Sequence, residues 1–366
     1  MLLQTLETWN FRNTQGKIDP IEGLNVFSGE NGAGKTNWLE AIAVLASARA
    51  FRTPRLQETI KFGEKEAQIT GNVRESPEIV RELRVSISGN SKILSLNGKR
   101  ETAHNYIGQL HTVVFNADEL EVVRGQPDER RRFLDAGIVG LHPPFTRVFA
   151  DYNRIIKQKN ALFQKASDES QSLDKVSEAL EPWNQQLIAA GSKIHKARVR
   201  FVERINEVLE KKLFGREELT VRYASSLEEK GDLADYENLL AERLRLRAQA
   251  EMLAGYSLIG PHRDDLEIKF DGHDLRKFGS AGQQRSALLL LQLANIGVFH
   301  ATRGEYPLFL IDDIDAELDY KRIGKLLEFL EGKTQTFVTT SKESFVERFG
   351  HLGKLFRISH GEAKSN

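Results

Sequence analysis

The sequence contains no cysteine among its 366 residues. That absence excludes a disulfide framework, a thiolate zinc site and a cysteine nucleophile, and it fits a reducing, cytoplasmic setting. No run approaches the ~18 apolar residues of a membrane span. Residues 1–13 hold no basic segment followed by an apolar stretch, so neither export nor membrane insertion is expected. Net charge is missing too, with 52 Lys+Arg against 52 Asp+Glu. A zero sum argues against a uniformly basic nucleic-acid protein, yet it is silent on how charge is distributed. Repeats and low-complexity segments are likewise lacking. What is present is 40% apolar content, enough for one large or two ordinary domains with a real core.

The first ~125 residues read as mixed α/β. Leu24–Phe27, Ile79–Ile87 and Val113–Phe115 are apolar runs of strand length, with one helix expected after residue 34. Asn97-Gly98 after Ile93–Leu96 is a hairpin-turn signal, because both residues readily take positive φ. From Pro127 the periodicity becomes helical. Ile188, Ile194, Ala197, Phe201, Ile205, Val208 and Leu209 trace one stripe, and Leu239, Leu240, Leu244 and Ala248 another. The longest helix is expected at Asn184–Leu213, with a loop at Asp168–Asp174. Strand character returns at Ser257–Ile259, Leu266–Phe270, Leu308–Ile311 and Thr334–Thr339, with a helix from Gly282.

Gly29-Glu30-Asn31-Gly32-Ala33-Gly34-Lys35-Thr36 satisfies G-x-x-x-x-G-K-[ST] directly after a strand candidate. The glycines let backbone N–H groups turn inward on phosphates, Lys35 reaches the β/γ oxygens, and Thr36 offers a hydroxyl to Mg²⁺. The helix this loop opens, through Trp38, Leu39, Ile42 and Leu45, points its positive end at the same phosphates, with Asn37 a further candidate contact. Leu308–Ile311 followed by Asp312-Asp313 is an apolar strand ending in two acids, where the metal-side carboxylate of such a fold sits. Asp312 is the expected metal partner and Asp313 the base or water-orienting group.

Ser280-Ala281-Gly282-Gln283-Gln284 at a helix start resembles the ABC signature motif, and Ala316-Glu317-Leu318-Asp319 the D-loop. In that superfamily the signature Ser280, Gly282 and Gln283 close over the γ-phosphate held by a partner subunit. Lys35 and Ser280 are 245 residues apart, and this split layout resembles the SMC, RecN and RecF group, whose arms leave the head between two half-sites. The zinc-hooked repair ATPases need Cys-x-x-Cys, and SMC arms need hundreds of heptad residues. The short insert is similar to the RecF family. Asn10-Phe11-Arg12-Asn13, Phe51-Arg52-Thr53, Arg124-Gly125-Gln126-Pro127 with Arg131-Arg132-Phe133-Leu134-Asp135, Gln158-Lys159-Asn160-Ala161-Leu162 and Gly260-Pro261-His262-Arg263-Asp264-Asp265-Leu266 all match its ordered motifs.

The resemblance implies an α/β, ABC-type P-loop ATPase head split by a short helical arm lobe. Its parts would be 1–125 (P-loop half), 126–255 (helical insert) and 256–366 (signature, Walker B and D-loop half). It also implies slow, DNA-dependent ATP hydrolysis with Mg²⁺, and ATP-dependent homodimerisation on DNA at gaps or single-strand/double-strand junctions. The work is shared with RecR and RecO and promotes RecA loading on SSB-coated DNA, in recombinational repair, replication restart and SOS induction. Arg12 is a candidate nucleotide contact, Asp118 a Q-loop equivalent at the metal, and Thr340 a switch residue where transporters have histidine. A transporter-type ABC subunit, or a P-loop enzyme acting on a small molecule, remains open at this point.

Charge by segment refines the zero. Gly191–Leu213 holds seven basic residues against three acids, and Glu305–Glu331 eight acids against three basic residues. Lys193, Lys196 and Arg200, with the run Arg130-Arg131-Arg132, are candidate DNA-phosphate contacts; the run could equally be a solvated helix face. Gly260-Pro261-His262-Arg263 reads either as a functional motif or as a structural turn. With no zinc finger or aromatic RNA-recognition platform, base-edge readout is not expected.

Overall fold

The computed structural model describes residues 1–76, 78–168, 173–211 and 218–365. They form two compact units, one from residues 1–120 and 280–365, the other from 121–211 and 218–279.

The first unit carries two six-stranded sheets. One runs in the order Glu362–Ser365, Gly353–Ser359, Leu24–Ser28, Thr336–Thr340, Leu308–Ile311, Thr112–Phe115, parallel except for the last hairpin strand of the chain. Its central strands are buried along their whole length, and Leu308–Ile311 accordingly reads as an unbroken apolar run. The other sheet is antiparallel: Thr14–Ile18, Leu2–Phe11, Glu66–Ser76, Ile79–Ser88, Ser91–Leu96, Lys99–Glu101. Glu66–Ser76 alternates between buried and part-exposed residues, as a sheet with one covered face requires. Asn97 (φ 50°) and Gly98 (φ 75°) make the expected tight hairpin.

The helix Lys35–Ser47 shares one core with residues of both sheets. Trp38, Leu39, Ile42 and Leu45 are fully buried alongside Leu3, Ile69 and Val85 of the antiparallel sheet and Phe27, Leu310 and Phe337 of the parallel one. Gly71 permits the close approach, since a Cβ there would collide with Leu45. The C-terminal hairpin also grips this helix and its loop. Gly361 N–H donates to the Ala33 carbonyl at 2.8 Å, and the Trp38 indole donates to the Gly361 carbonyl at 2.9 Å.

The second unit combines the helices Pro127–Leu141, Phe145–Asp168, Leu173–Leu209 and Tyr236–Ala254 with a small antiparallel sheet, His273–Asp274, Asp265–Phe270, Leu219–Ala224. Both expected stripes face inward, with Ile194, Phe201, Ile205, Leu239, Leu240 and Leu244 buried. The long helix begins eleven residues earlier than its periodicity suggested; its expected end at Leu213 and the core of the loop expected at Asp168–Asp174 lie outside the described residues. Strand Leu219–Ala224, in a stretch read as helical, pairs with Asp265–Phe270 and so draws residues 256–279 into this unit. Ser257–Ile259 is not a strand. The Ser257 N–H is taken by Asn160 Oδ1 at 2.8 Å and its carbonyl by Arg263 Nη2 at 2.8 Å, which leaves nothing for a ladder.

Three of the sequence motifs cement this unit. Arg198 makes a two-pronged bond to Asp135 (2.8 and 2.9 Å) and donates to the Pro261 carbonyl at 2.7 Å. Arg130 grips Asp265 (2.6 and 2.9 Å) and the Gly125 carbonyl at 2.9 Å. Asp264, fully buried, accepts from Ser226 N–H at 2.7 Å and from the Tyr223 hydroxyl. Lys159 and Glu251 form a buried pair at 3.4 Å, and Glu251 also accepts from the Ser257 hydroxyl and Leu258 N–H. Pro261–Arg263 is one 3₁₀ turn entered through Gly260 at φ 126°, so the structural-turn reading of this motif holds in this unit.

His262 bonds to the Tyr152 hydroxyl at 2.8 Å, and burial pushes its pKa down to about 4. An imidazole that is neutral when folded but titrates near 6.5 when unfolded binds fewer protons in the folded state. Its stabilising contribution is therefore full above pH 6.5 and lost as pH falls toward 4. Thermal melts from pH 7 to pH 4.5 should show the melting temperature dropping through this window, with a shallower drop for His262→Gln. An equal slope in the variant would assign the acid sensitivity to other groups.

Candidate nucleotide site

The Gly29–Thr36 loop leaves strand Leu24–Ser28 and enters helix Lys35–Ser47. Gly29 is needed because a Cβ would strike the Ile358 carbonyl, and Gly34 takes φ 110° at the helix N-cap. The loop borders a cavity of about 440 Å³ lined by Gly32, Gly34, Lys35, Thr36, Asn37, Phe51, Arg52, Asn116, Ala117, Asp118 and Asp312. Lys35 Nζ donates to the Gly29 and Glu30 carbonyls at 2.9 and 2.8 Å, so the ammonium is held over the loop it serves. Gly29, Glu30, Asn31 and Ala33 belong to the loop but do not line the cavity.

Thr36 donates its hydroxyl to Asp312 Oδ1 at 2.8 Å, bringing together residues that are far apart in the sequence. Thr339 donates to the same oxygen at 2.7 Å. Burial pushes the Asp312 carboxyl up, opposed by these two hydroxyls. A half-buried carboxylate with hydroxyl donors and, among the described residues, no ion pair, beside a threonine oxygen, is a hard-oxygen set that suits Mg²⁺. Among the described residues no cluster of three or more His, Asp or Glu side chains forms a metal cage. Mg²⁺ needs none, since it commonly takes one or two protein oxygens and completes its shell with phosphates and water. Asp313 follows in the left-handed region (φ 46°, ψ 49°), its N–H donating to Thr339 Oγ1 at 2.7 Å, and its side chain is exposed. Thr339, and not the expected Thr340, is thus the threonine of this strand that meets Asp312 and Asp313. Successive strand residues face opposite ways, and Thr340 instead accepts from Lys342 N–H at 3.1 Å.

Arg12 is not a cavity residue. Its guanidinium grips the fully buried Glu40 of the P-loop helix (2.8 and 3.2 Å) and reaches the Glu58 carbonyl. The arginine that lines the cavity is Arg52, which donates to Asn37 Oδ1 at 2.8 Å, while its N–H is accepted by Glu40 at 3.2 Å. Phe51 and Arg52 were visible as part of a motif but carried no assigned role, and Asn116 had no sequence signal.

Ser280 caps helix Ala281–Arg303 through a capping box: Ser280 Oγ accepts from Gln283 N–H at 3.3 Å, and Gln283 Oε1 accepts from Ser280 N–H at 2.9 Å. Ser280, Ala281, Gly282 and Gln283 are all exposed, and none lines the cavity. Arg285 ties this helix to Glu317 at 2.8 Å, and Asp319 caps helix Tyr320–Leu330.

The comparisons decide the family. A family model described as the RecF/RecN/SMC N-terminal domain matches residues 2–364. The DNA replication and repair protein RecF of Pelotomaculum thermopropionicum is 38% identical, covering 99% of this chain and 100% of its own. The chain belongs to the RecF family of ABC-type ATPases. RecF of Enterococcus faecalis is 34% identical over 100% of this chain and 99% of its own. A solved structure titled as the recombination mediator protein RecF-ATP in the RecFOR pathway aligns with a TM-score of 0.90 at 29% identity, covering 100% of this chain and 97% of that one. An SMC head solved with the C-winged helix domain of ScpA shares the fold, with a TM-score of 0.54 at 17% identity over 100% of this chain and 97% of that one. Membership in the RecF family displaces the transporter and small-molecule readings.

Of the basic candidates in this RecF chain, Lys193, Lys196 and Arg200 form one exposed stripe on helix Leu173–Leu209. Arg130 is corrected: buried and bonded to Asp265, it has no face left for a phosphate. Arg131 is mostly covered and donates to the Asp264 carbonyl, whereas Arg132 is exposed beside Glu129 at 3.0 Å. Arg198, counted in the basic segment, is likewise buried.

Proposed function

We propose that this RecF chain is an ATP-gated DNA clamp. The loop Gly29–Thr36 cradles the triphosphate, Lys35 neutralises its β/γ oxygens, and Thr36 and Asp312 would hold Mg²⁺, with Asp118 at the cavity rim. Bound there, the ion would screen the phosphate charge and favour attack at the γ-phosphorus. Asp313 orients the attacking water. Ser280, Gly282 and Gln283 of a second copy close over the γ-phosphate, so ATP joins two heads and hydrolysis resets them. The dimer forms on DNA at gaps or single-strand/double-strand junctions, with Lys193, Lys196 and Arg200 contributing phosphate contacts. With RecR and RecO it promotes RecA loading on SSB-coated DNA in the cytoplasm.

The observation that carries this reading is Gly282. Glycine in a helix costs about 1 kcal/mol relative to alanine, and a Cβ here would meet nothing within 4 Å. The chain's own packing does not demand glycine, whereas close approach by another molecule does. Light scattering tests the proposal. With ATP the wild-type mass should double, while Ser280→Arg should stay monomeric and still bind ATP. A Ser280→Arg protein that doubles in mass would sink the trans-site arrangement.

A further inference from the structure

The turn after the Phe51–Arg52 loop has no part in the nucleotide chemistry. Lys61 N–H donates to the Asn10 carbonyl at 2.8 Å, Ile60 bridges to Phe11, and Arg12 N–H donates to the Thr59 carbonyl at 2.6 Å. Glu64 N–H then closes back on the Lys61 carbonyl at 3.0 Å, with Gly63 at φ 87° in the third position of a tight turn. This fastened backbone projects Phe62 outward, where it is fully exposed. A phenyl ring at a rigid turn corner contributes nothing to the core.

The sequence around it is basic. Residues 49–65 hold five cations (Arg49, Arg52, Arg55, Lys61 and Lys65) against two acids, Glu58 and Glu64. Arg52 serves the cavity and Arg55 sits 3.8 Å from Glu58, but Arg49, Lys61 and Lys65 are exposed and make no ion pair among the described residues. Lys92 adds a further charge close to Arg49. Its Nζ donates to the Ala48 carbonyl at 2.9 Å, and burial, then the charge of Arg49, lowers its pKa. A ring meant for a protein groove would sit among other apolar groups. A fully exposed ring with Lys61 next to it in the chain and Lys65 three residues on suits a base stacked on its face with phosphates on either side. A paired base within a duplex has both faces covered, so the fitting occupant is unpaired.

We propose that the Lys61–Lys65 turn is a contact for single-stranded nucleic acid: Phe62 stacks on one unpaired base while Lys61, Lys65 and Arg49 hold the neighbouring phosphates. The proposal rests on the DNA-binding reading above and assigns the head its own share of a junction, the unpaired strand. Anisotropy titrations of the full chain with ATP would use three probes: an oligothymidine, a blunt duplex and a duplex with a single-stranded overhang. Phe62→Ala should weaken the first and third about tenfold and the blunt duplex less than twofold, Phe62→Trp should restore them, and basal ATP hydrolysis should be unchanged. Equal losses on all three probes, or no loss, would overturn the stacking role. A Phe62→Ala protein with normal DNA affinity but no ATP-dependent doubling in mass would assign the ring to the dimer and overturn it too. A wild-type chain that binds none of the probes would overturn the DNA reading itself.

Discussion

Asn in place of Asp313 is expected to slow ATP hydrolysis by about two to four orders of magnitude, the range typical of a group that positions or deprotonates the attacking water. The substitution is clean for a structural reason. Position 313 sits at φ 46°, ψ 49°, a region that Asn tolerates as well as Asp, and its backbone is fixed by the Thr339 hydroxyl rather than by its own side chain. The fold and the phosphate cradle should therefore survive, and only a carboxylate charge is removed. ATP binding should persist, and because hydrolysis no longer resets the heads, the doubled mass should become long-lived. Phosphate release and light scattering on one preparation read both effects. Near-normal turnover in Asp313→Asn would move the water-orienting role to another group.

Met in place of Arg198 is expected to destabilise the second unit by about 3 kcal/mol, the lower end for removing one partner of a buried ion pair. Arg198 is 4% exposed, and its loss strands the mostly covered Asp135 and leaves the Pro261 carbonyl only the longer bond from Asp264 N–H at 3.3 Å. Burial already pushes the Asp135 carboxyl up, and Arg198 is the main group holding it down. Urea unfolding should show the loss directly. Adding Asp135→Leu should recover much of it, because an apolar pair has no charge to strand. The exposed neighbour Lys196→Ala should leave stability within about 0.5 kcal/mol while weakening DNA binding. If Arg198→Met proved as stable as the wild type, the buried network would not be what holds this unit together.

These two arginine-and-lysine neighbours show where sequence reasoning stops. Both fall in one basic segment; helical spacing sets Arg198 on the inward stripe between Ile194 and Phe201 and Lys196 on the exposed one, but nothing local supplies the carboxylate that a buried arginine needs. Arg198 is buried because its carboxylate partner lies 63 residues away, and Arg130 because its own lies 135 residues away. The pairing of Arg12 was hidden for the same reason, its partner Glu40 being on the helix that the P-loop opens. By contrast, the phosphate loop, the acid-terminated strand, the capped signature helix and the Asn97-Gly98 hairpin are encoded within short windows, where spacing and turn chemistry suffice. Strand Leu219–Ala224 was hidden because its pairing partner Asp265–Phe270 is distant, and so was the bond of Thr339 rather than Thr340 to Asp312, because only the register tells which face each threonine takes.

The grip of Gly361 on Ala33 and Trp38 has a consequence for synthesis. Strand Leu24–Ser28 is made early, but both its sheet neighbours, Thr336–Thr340 and Gly353–Ser359, are made late. A growing chain on the ribosome therefore carries its nucleotide loop for more than three hundred residues before the strands and hairpin that shape it exist. A nascent chain that stops short of Gly361 lacks the backbone to which Ala33 and Trp38 are bonded, so the loop can take up this packing only once Gly361 has been made.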